Sequence, residues 1–456
     1  MTRVSVARQI AFDVLQAVHV DDAYSNLVLP AALDRAKVSG RDAGLATELT
    51  YGAIRRQGSL DAVIDACATR TDTMDLEVRD VLRIGTYQIL FMRIPAHAAV
   101  SETVELARHV VNVSSSKFVN AVLRKITEHE WDEWLQILTM EKTPLDALAI
   151  EFSYPVWVIR ALMDAYKCDS TQVRTVLEAG NIPAPVSLVA RPGQCTIEEL
   201  LELPHVTPGS WSPLAATIVR PEQGDEYWST RPGDLDVVRD NRAGVQDEGS
   251  QLVALALAAA PVDGKETVWL DMCAGPGGKA AVLAGFAAER EIDFVALEPV
   301  PTRAKLVSNS LRHAPGHHEV MTIDARDYDP DHGFDRILVD APCTGLGALR
   351  RRAEARWRKQ PADIPVLTAL QLELLEHAAS LLRVGGVVGY ATCSPHIAET
   401  DAIVAAFLRK HADFEVIDMS QVLPQLELPE GSASMRLRPD VHHTDGMFLS
   451  LLKRIA

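Results

Sequence analysis

The chain has 456 residues, so at ~100–200 residues per domain it is expected to form two to four domains. Hydrophobic residues make up 47% and charged residues 23%, which excludes intrinsic disorder and a collagen-like repeat. The 45 basic and 62 acidic side chains give a net charge of −17, which argues against a chain coated in nucleic acid but not against a local basic groove. No two of the six cysteines form a C-x-x-C pair, so the sequence predicts reduced thiols, without a metal site or disulfides.

Neither a targeting segment nor a membrane span is predicted. Residues 1–20 carry apolar residues at helical spacing, but Arg8 and Asp13 interrupt any signal-peptide core. The longest apolar run, residues 252–262, is far shorter than the ~20 residues of a membrane-spanning helix. We therefore expect a soluble, cytoplasmic protein.

Residues 1–135 are predicted to form an all-α bundle. Apolar residues recur there at spacings of three and four, as one face of a helix requires. Pro95 ends one predicted helix, and Ser101 opens the next. This region holds 15 basic and 18 acidic residues, so its charge does not mark it as the source of RNA affinity.

Residues 136–240 change character. Eight of the 25 prolines lie between Pro183 and Pro232, and residues 186–190 and 214–219 are typical of strands. Between these runs, residues 196–203 are predicted to form a short helix that Thr196 caps. The region is either a small α+β module or a loop-rich linker.

From residue 241 to 456, strands and helices alternate, which indicates a Rossmann-like α/β domain with a parallel sheet and helices on both faces. Ligands bind such sheets at the carboxyl ends of the strands. The predicted strands are 268–271, 294–298, 320–324, 336–340 and 387–391, and the predicted helices are 279–288, 302–313, 366–382 and 398–410.

A glycine-rich turn, DMCAGPGGKA (271–280), follows the first of these strands and opens a helix. Its glycines let a ligand approach the backbone closely, and the helix N-terminus attracts negative charge. A Walker A loop is excluded, because residue 273 is Cys and residue 280 is Ala. A dinucleotide fingerprint and a nucleoside-type site facing a carboxylate both remain.

Two acids at later strand ends favour the nucleoside-type site. Glu298 lies 27 residues after Asp271, where an acid accepts hydrogen bonds from both ribose hydroxyls. Asp324 ends the third strand, where it is placed to accept from an adenine amino group. In this order the acids are typical of the S-adenosylmethionine pocket of a methyltransferase.

Two cysteines follow the next two strands, in VDAPCTGLG (339–347) and YATCS (390–394). Adjacent strand ends lie ~5 Å apart, so Cys343 and Cys393 are expected to face one pocket. A thiolate that adds to carbon 6 of a pyrimidine makes carbon 5 nucleophilic enough to accept a methyl group. Asp340 is placed to bind the ring N3 and the exocyclic amine. Cytosine C5 methylation is therefore the predicted chemistry, on a base taken out of any stack.

A basic run, RRRAEARWRK (350–359), follows the first cysteine motif with six basic residues and one acid. Such a run is either a solvated face or a contact for a phosphate backbone. Its place after the catalytic loop favours RNA contact by Arg350, Arg351 and Arg352, with Trp357 as a stacking face.

The C-terminal motifs, together with GVQDEGSQL (244–252), resemble the Sun-type RNA cytosine-5 methyltransferases. LTYGAIRR (49–56), residues 82–108 and FVNAVLR (118–124) resemble the NusB-like domain. Together, over essentially the whole chain, they are similar to the RsmB-type (Sun/Fmu) enzymes, which methylate 16S ribosomal RNA.

The resemblance implies roles that spacing leaves open. It makes Cys393 the nucleophile and Cys343 the residue that assists product release, whereas DNA cytosine methyltransferases use the P-C cysteine as nucleophile. It also implies that residues 442–454 form an antiparallel strand pair at the sheet edge. The family's cofactor residues correspond to Cys273, Ala274, Gly275, Pro276, Gly277, Gly278, Lys279, Glu298, Asp324 and Asp340. Gly275 and Ala280 stand where the family often has Ala and Thr.

The leading hypothesis is thus an S-adenosylmethionine-dependent methyltransferase that acts on cytidine in 16S ribosomal RNA. An RNA-binding scaffold with an inactive methyltransferase domain is a second hypothesis, and the intact cysteines, Asp340 and glycine loop argue against it. DNA cytosine methylation is the third, since the residues that distinguish RNA from DNA are not recognisable in the sequence.

Overall fold

Helices dominate the first 180 residues, as the apolar periodicity predicts. The computed structural model describes residues 4–69, 71–219 and 232–456. On the first helix the buried positions include Ile10, Val14 and Val18, spaced four residues apart on one face. In chain order the helices are α1 (Val6–Val20), α2 (Ser25–Ala36), α3 (Gly40–Arg55), α4 (Gln57–Cys67), α5 (Leu76–Phe91), α6 (Ala96–Val110), α7 (Val113–Ile126), α8 (Trp131–Thr139), α9 (Pro144–Phe152), α10 (Val156–Tyr166) and α11 (Val173–Ala179).

A four-stranded antiparallel sheet follows, with strand order β2-β3-β1-β4. The predicted strand at 186–190 and the predicted helix beginning after Thr196 are both present, and Thr196 and Glu199 form a capping box. The α+β alternative for this region is therefore confirmed. Its elements are β1 (Val186–Ala190), α12 (Ile197–Leu201), β2 (Val206–Pro208), β3 (Ala215–Ile218), α13 (Asp236–Arg239) and β4 (Ala243–Val245).

The remaining elements build a larger sheet and its covering helices. They are α14 (Glu248–Ala259), β5 (Val268–Asp271), α15 (Gly278–Glu289), β6 (Asp293–Leu297), α16 (Pro301–Leu311), β7 (His318–Met321), β8 (Phe334–Asp340), α17 (Ala355–Arg358), α18 (Asp363–Leu381), β9 (Leu382–Thr392), α19 (Asp401–Lys410), β10 (Phe414–Val416), α20 (Met419–Val422), β11 (Met435–Arg436), α21 (Pro439–His442) and β12 (Phe448–Arg454). No helix of the described residues is long and apolar enough to cross a membrane.

The larger sheet is mixed rather than wholly parallel. Strands run in the order β10-β12-β9-β8-β5-β6-β7, and β9, β8, β5, β6 and β7 are parallel to one another. β12 is antiparallel to β9, and β10 and β11 are antiparallel to β12. Residues 442–454 therefore contribute one strand, β12, and not the strand pair that the resemblance implies. The five parallel strands are those predicted from the sequence.

Helices cover both faces of this sheet, and the alternation of side chains along each strand separates two cores. Trp269 and Phe294 pack with residues of α14, α15 and α16. Leu270 and Val295, one residue further along, pack with residues of α18 and α19 on the other face. The predicted Rossmann-like architecture is confirmed.

The chain divides into two structural units. The first unit comprises residues 1–163, 167–182 and 349–359, and the second comprises 164–166, 183–348 and 360–456. Helices α8 to α11 thus extend the helical unit past residue 135, and a short segment that contains α17 returns to it much later in the chain. The small antiparallel sheet belongs to the same unit as the larger one.

Candidate active site

Acidic side chains lie at the carboxyl ends of four neighbouring parallel strands. Asp340 ends β8, Asp271 ends β5, Glu298 follows β6, and Asp324 lies three residues after β7. β7 ends at Met321 rather than at Asp324, because Asp324 caps a short 3₁₀ turn and accepts a hydrogen bond from the Arg326 backbone N–H. The order of the acids along the sheet edge is the order predicted.

The glycine-rich turn between β5 and α15 is held by its neighbours. The Ala274 N–H donates to the carbonyl of Leu297 at 2.9 Å, and the Ser310 hydroxyl is 3.5 Å from the carbonyl oxygen of Pro276. Gly277 has φ +112°, and a Cβ there would lie 2.7 Å from the Cβ of Ser310. Only glycine fits this position, so the turn packs closely on α16 and leaves its backbone free of side chains.

The strand-end acids accumulate negative charge away from water. Burial, and then the charge of Asp340, raise the pKa of Asp271 to about 7. The Asp271 carboxylate accepts a hydrogen bond from the Cys273 N–H at 3.2 Å. Burial, reinforced by the same acids, raises the pKa of the Cys273 thiol well above its ordinary value. Such a pocket favours a positively charged ligand.

Glu298 and Asp324 make different contacts. Glu298 is buried, accepts from the Val300 N–H at 3.0 Å, and forms an ion pair of 3.3 Å with Arg303. A Cβ at residue 275 would lie 2.1 Å from the Glu298 carboxylate, so Gly275 leaves room for this carboxylate. Asp324 is partly exposed, and its hydrogen bonds with Arg326 lower the pKa of its carboxyl group.

Lys279 on α15 connects the glycine turn to the cysteine motifs. Its ammonium donates to the Asp340 carboxylate at 2.8 Å. Burial opposes this positive charge, yet Asp340, Cys393 and Asp271 together hold the pKa of Lys279 above its ordinary value. A cation therefore lies within electrostatic range of the Cys393 sulfur.

The two predicted cysteines meet at adjacent strand ends. Cys343 lies three residues after β8 and Cys393 directly follows β9, and their sulfurs are 3.3 Å apart. The hydrogen bond with Cys393 raises the pKa of the Cys343 thiol well above its ordinary value, and burial and the charges of Cys393 and Glu399 add to this effect. The Gly347 N–H donates to the Cys393 carbonyl at 2.9 Å, and a Cβ at Gly347 would lie 1.8 Å from the Gly446 carbonyl oxygen. Glycine is required where these loops cross.

Sequence reasoning missed Glu399, the buried acid beside Cys343. Its carboxylate accepts hydrogen bonds from Thr344, Ser394 and Gln371, which lie in three different segments. In the sequence it is one acid among many near the start of a helix, so no local signal marks it. The sequence pattern marks Asp271 only as the end of a strand, yet its side chain lies within electrostatic range of Asp340 and Glu298.

The basic run 350–359 is not the exposed strip that its composition predicts. Arg350 is buried and Arg351 half-buried, and the half-buried Trp357 packs against Gly58 of the helical unit. Arg352 is exposed, with its guanidinium 5.0 Å from the ring centre of Tyr24. Charge composition alone does not show which arginines a fold buries for their hydrogen bonds.

Comparisons with known proteins match both halves of the chain. The NusB family model matches residues 5–128, and the model described as 16S rRNA methyltransferase RsmB/F matches residues 256–453. A Mycobacterium tuberculosis protein named "Putative methyltransferase Rv1407" is 48% identical, over 98% of this chain and 96% of that protein. Ribosomal RNA small subunit methyltransferase B of Escherichia coli is 30% identical, over 96% of each chain.

The chain belongs to the ribosomal RNA small subunit methyltransferase B family. It is therefore a methyltransferase with a NusB-type helical domain. Among solved structures, PH0851 superposes with a TM-score of 0.79 at 22% identity and covers 99% of this chain and 98% of that one. NSun6 from Pyrococcus horikoshii with SFG superposes with a TM-score of 0.54 at 16% identity and covers 66% of this chain and 98% of that one. At these identities the two structures support the fold.

The residues at the sheet edge suit S-adenosylmethionine, the methyl donor that methyltransferase membership implies. Its ammonium and sulfonium groups would relieve the repulsion that raises the pKa of Asp271. Its ribose hydroxyls and adenine amine are donors, and the acids that follow β6 and β7 are acceptors. The side-chain-free turn at Gly277 gives space for the backbone to approach such a ligand.

Proposed function

We propose that this methyltransferase transfers a methyl group from S-adenosylmethionine to carbon 5 of a cytidine in 16S ribosomal RNA, through a covalent bond between Cys393 and carbon 6. Relatives named for the small ribosomal subunit support the substrate. The observation that carries the chemistry is the pair of sulfurs 3.3 Å apart, one near a lysine and the other near a buried carboxylate.

The reaction needs a thiolate because carbon 5 of cytosine is a weak nucleophile. In the proposed sequence the Cys393 thiolate adds to carbon 6, and the electron pair that this releases makes carbon 5 attack the methyl group. S-adenosylmethionine supplies that methyl group on a positively charged sulfur. A base then removes the proton from carbon 5, the C5–C6 double bond forms again, and the bond from carbon 6 to sulfur breaks.

The two thiols receive different roles from their surroundings. The nearby Lys279 ammonium favours the thiolate form of Cys393, which attack requires. The raised pKa of Cys343 keeps it a thiol, so its S–H is placed to donate to the Cys393 sulfur. We infer that Cys343 stabilises Cys393 as it leaves carbon 6, which agrees with the release role that the resemblance implies.

Asp340 and the glycine turn supply binding. We propose that Asp340, held by Lys279, accepts from the exocyclic amine and from the protonated N3 of the adduct. Residues 273–279 would hold the methionine end of S-adenosylmethionine, Glu298 its ribose hydroxyls and Asp324 its adenine amine. The acids at successive strand ends support this direction along the sheet.

Methyl mapping and adduct trapping test the proposal. Incubation with labelled S-adenosylmethionine and small-subunit rRNA should yield 5-methylcytidine. RNA carrying 5-fluorocytidine should remain covalently bound, because fluorine cannot leave carbon 5 as a proton does. On a denaturing gel, Cys393→Ala should abolish both methylation and the bound species. Cys343→Ala should instead accumulate a protein–RNA species on ordinary cytidine.

Cys168→Ala is the matched control, since Cys168 is a partly buried cysteine like the two others but lies outside both cysteine motifs. It should methylate and release RNA as the natural chain does. A bound species with Cys393→Ala, and none with Cys343→Ala, would exchange the two roles and indicate the DNA-type mechanism. If neither substitution alters methylation, the covalent mechanism is wrong.

A further inference from the structure

Glu399 is a fully buried carboxylate next to the two cysteine loops, and the proposed reaction does not use it directly. Its Oε1 accepts from the Thr344 backbone N–H at 2.8 Å and from the Gln371 amide at 3.1 Å. Its Oε2 accepts from the Ser394 hydroxyl at 2.6 Å and from the Thr344 hydroxyl at 2.5 Å. A carboxylate loses several kcal/mol of hydration on burial, so hydrogen bonds to both oxygens are what make this position tenable.

The residues that bind Glu399 adjoin the reacting sulfurs. Thr344 directly follows Cys343, and Ser394 directly follows Cys393. One carboxylate therefore joins the loop after β8 to the loop after β9, each at the residue next to its cysteine. The hydroxyl oxygens of Thr344 and Ser394 are 3.0 Å apart, since both hydroxyls donate to the same oxygen of Glu399.

Other elements fix Glu399 in place. Gln371 on α18 bonds both Glu399 and the Pro342 carbonyl, the latter at 2.8 Å. The hydroxyl of Tyr390 on β9 donates to the Glu399 carbonyl oxygen at 2.7 Å. Gln371 therefore holds the carboxylate of Glu399, and Tyr390 holds its backbone. A residue that positions its neighbours must itself be fixed in this way.

We propose that Glu399 is a positioning residue that holds Cys343 beside Cys393 and, through its negative charge, keeps Cys343 a thiol that donates to the Cys393 sulfur. The proposal rests on the proposed function, because the donated hydrogen bond matters only if Cys393 forms and breaks a bond to the base. It gives Glu399 two separable roles. The length of its side chain positions the two cysteine loops, and its negative charge keeps Cys343 protonated.

The charge of Glu399 acts among few neighbours. The titratable groups that face Cys343 are Cys393 from the loop after β9, Glu399 itself and the buried Tyr390 of β9. The Lys279 ammonium and Asp340 lie toward Cys393, and His396 is near Glu399. The negative charge of Glu399 adds to the hydrogen bond with Cys393, burial and the charge of Cys393 in raising the pKa of Cys343.

Two substitutions separate the two properties. Glu399→Gln keeps the length but removes the charge, and its amide can still bond Thr344 and Ser394 because hydroxyls both donate and accept. Glu399→Asp keeps the charge but is one methylene shorter. Asp335→Asn is the control, a buried carboxylate at the other end of β8, about 17 Å along the strand from Asp340 at 3.3–3.4 Å per residue.

The first measurement is alkylation of Cys343 by iodoacetamide between pH 7 and pH 10, in the full chain without RNA, read by peptide mass spectrometry. Glu399→Gln should alkylate about threefold faster or more below the midpoint, since half a pKa unit changes the thiolate fraction about threefold. Glu399→Asp and Asp335→Asn should keep the pH dependence of the natural chain. An unshifted profile for Glu399→Gln would overturn the role of the charge.

The second measurement is the covalent species with 5-fluorocytidine RNA and with ordinary RNA. Glu399→Asp should form the trapped species on the order of 100-fold more slowly, because its shorter side chain no longer holds Ser394 and the adjoining Cys393 in place. A displacement of about 1 Å costs that much in a reacting geometry. Glu399→Gln should form it readily and, at pH values where its Cys343 has ionised, retain a bound species on ordinary cytidine. Equal rates for Glu399→Asp and the natural chain would overturn the positioning role.

These outcomes are distinct from failure of the proposed function. If the natural chain forms no bound species and no 5-methylcytidine, the proposed function is wrong, while the alkylation profile still reports the influence of Glu399 on Cys343. Should Glu399→Gln not fold, as judged by thermal melting, Glu399→Asp alone decides. A trapping rate like that of the natural chain then refutes the proposal, and a slow rate with an unaltered alkylation profile supports it.

Discussion

The raised pKa of Asp271 shows how burial and neighbouring charge at the sheet edge affect a single side chain. Its pKa is raised from 3.8 to about 7 by burial and by Asp340, so the folded protein binds its proton more tightly than the unfolded chain does. The stability contributed by protonated Asp271 is fully present below about pH 4 and is lost as the pH rises through about 7. A carboxylate with hydrogen-bond donors around both oxygens would show a smaller loss or none.

We therefore expect Asp271→Asn to gain stability relative to the natural chain between pH 5 and pH 8. At pH 8 the natural chain buries an anion that asparagine does not carry, and the gain should be roughly 1–3 kcal/mol. Urea unfolding at both pH values measures it. Glu415→Gln, an exposed acid on β10, should show no change between the two pH values. An Asp271→Asn effect that is equal at both pH values would contradict the prediction.

Glu298→Ala should weaken S-adenosylmethionine binding. If both ribose hydroxyls bond its carboxylate, the loss is about 1.5–3 kcal/mol for hydrogen bonds to a charged group, or about tenfold and more in the dissociation constant. Titration calorimetry with S-adenosylmethionine is the measurement. Glu289→Ala, an exposed acid at the end of α15, serves as the control. Unchanged affinity for Glu298→Ala would remove the ribose assignment.

At this scale the sequence predicts the meeting of Cys343 and Cys393, because strand order alone brings adjacent strand ends together. It does not reveal Glu399, whose partners Thr344, Gln371 and Ser394 come from three segments of the chain. A buried carboxylate and an exposed one have the same letter in a sequence. Only the fold determines which donors surround it.

Among the elements, α17 differs most from expectation. Its Arg356 is fully buried, and the guanidinium donates to the carbonyls of Arg55, Ser153 and Gly180 at 2.9–3.2 Å. It also bonds the Tyr154 hydroxyl at 2.8 Å, and burial lowers its pKa to about 10. Part of a positively charged run in the sequence therefore donates hydrogen bonds to helix and loop carbonyls inside the fold.

Arg356→Ala should destabilise the protein by about 3–5 kcal/mol, because it leaves several buried carbonyls without their donor. Arg352→Ala, in the same basic run but exposed, should stay within about 0.5 kcal/mol of the natural chain. Guanidinium unfolding followed by circular dichroism compares the two. Equal losses of unfolding free energy in the two variants would mean that the hydrogen bonds of Arg356 do not stabilise the fold as its contacts indicate.

The other elements follow the sequence closely where local rules decide. β5 spans the predicted residues 268–271, and α15 starts within one residue of its predicted start at 279. β7 ends at Met321, before its predicted end, because the side chain of Asp324 bonds the next turn. The proline-rich stretch that begins at Pro183 in the sequence coincides with the end of a segment of the helical unit at residue 182.

For the whole molecule, a net charge of −17 requires that any attraction to RNA be local. Arg352 and Arg358 both lie within 5.4 Å of the ring centre of the exposed Tyr24, which places two cations around one aromatic face. Arg358 also donates to the carbonyls of Val18 and Ala23, so the exposed Arg352 is the cation of the pair that we expect to contact a phosphate. The contact area is smaller than the basic run predicts, because the fold buries Arg350.

Arg352→Ala should therefore weaken binding to small-subunit rRNA and lower the slope of log affinity against log salt concentration by about 1. Filter binding at several salt concentrations is the measurement. Arg409→Ala, an exposed arginine on α19, is the control and should keep the slope of the natural chain. An unaltered slope with Arg352→Ala would mean that this part of the basic run 350–359 is a solvated face that does not contact RNA.

The path of the chain between its two units bears on how such a protein is inherited. The helical unit is completed by residues 349–359, which are encoded between two parts of the other unit. A single genetic crossover near residue 182 would transfer most of the helices without Arg356, and the carbonyls of Arg55, Ser153 and Gly180 would then lack their donor. Exchange of the helical unit between relatives would require crossovers at three or more places in the gene, near the codons for residues 182, 348 and 359. We therefore expect the two units to be inherited together, so that a phylogenetic tree built from one unit has the same branching as a tree built from the other.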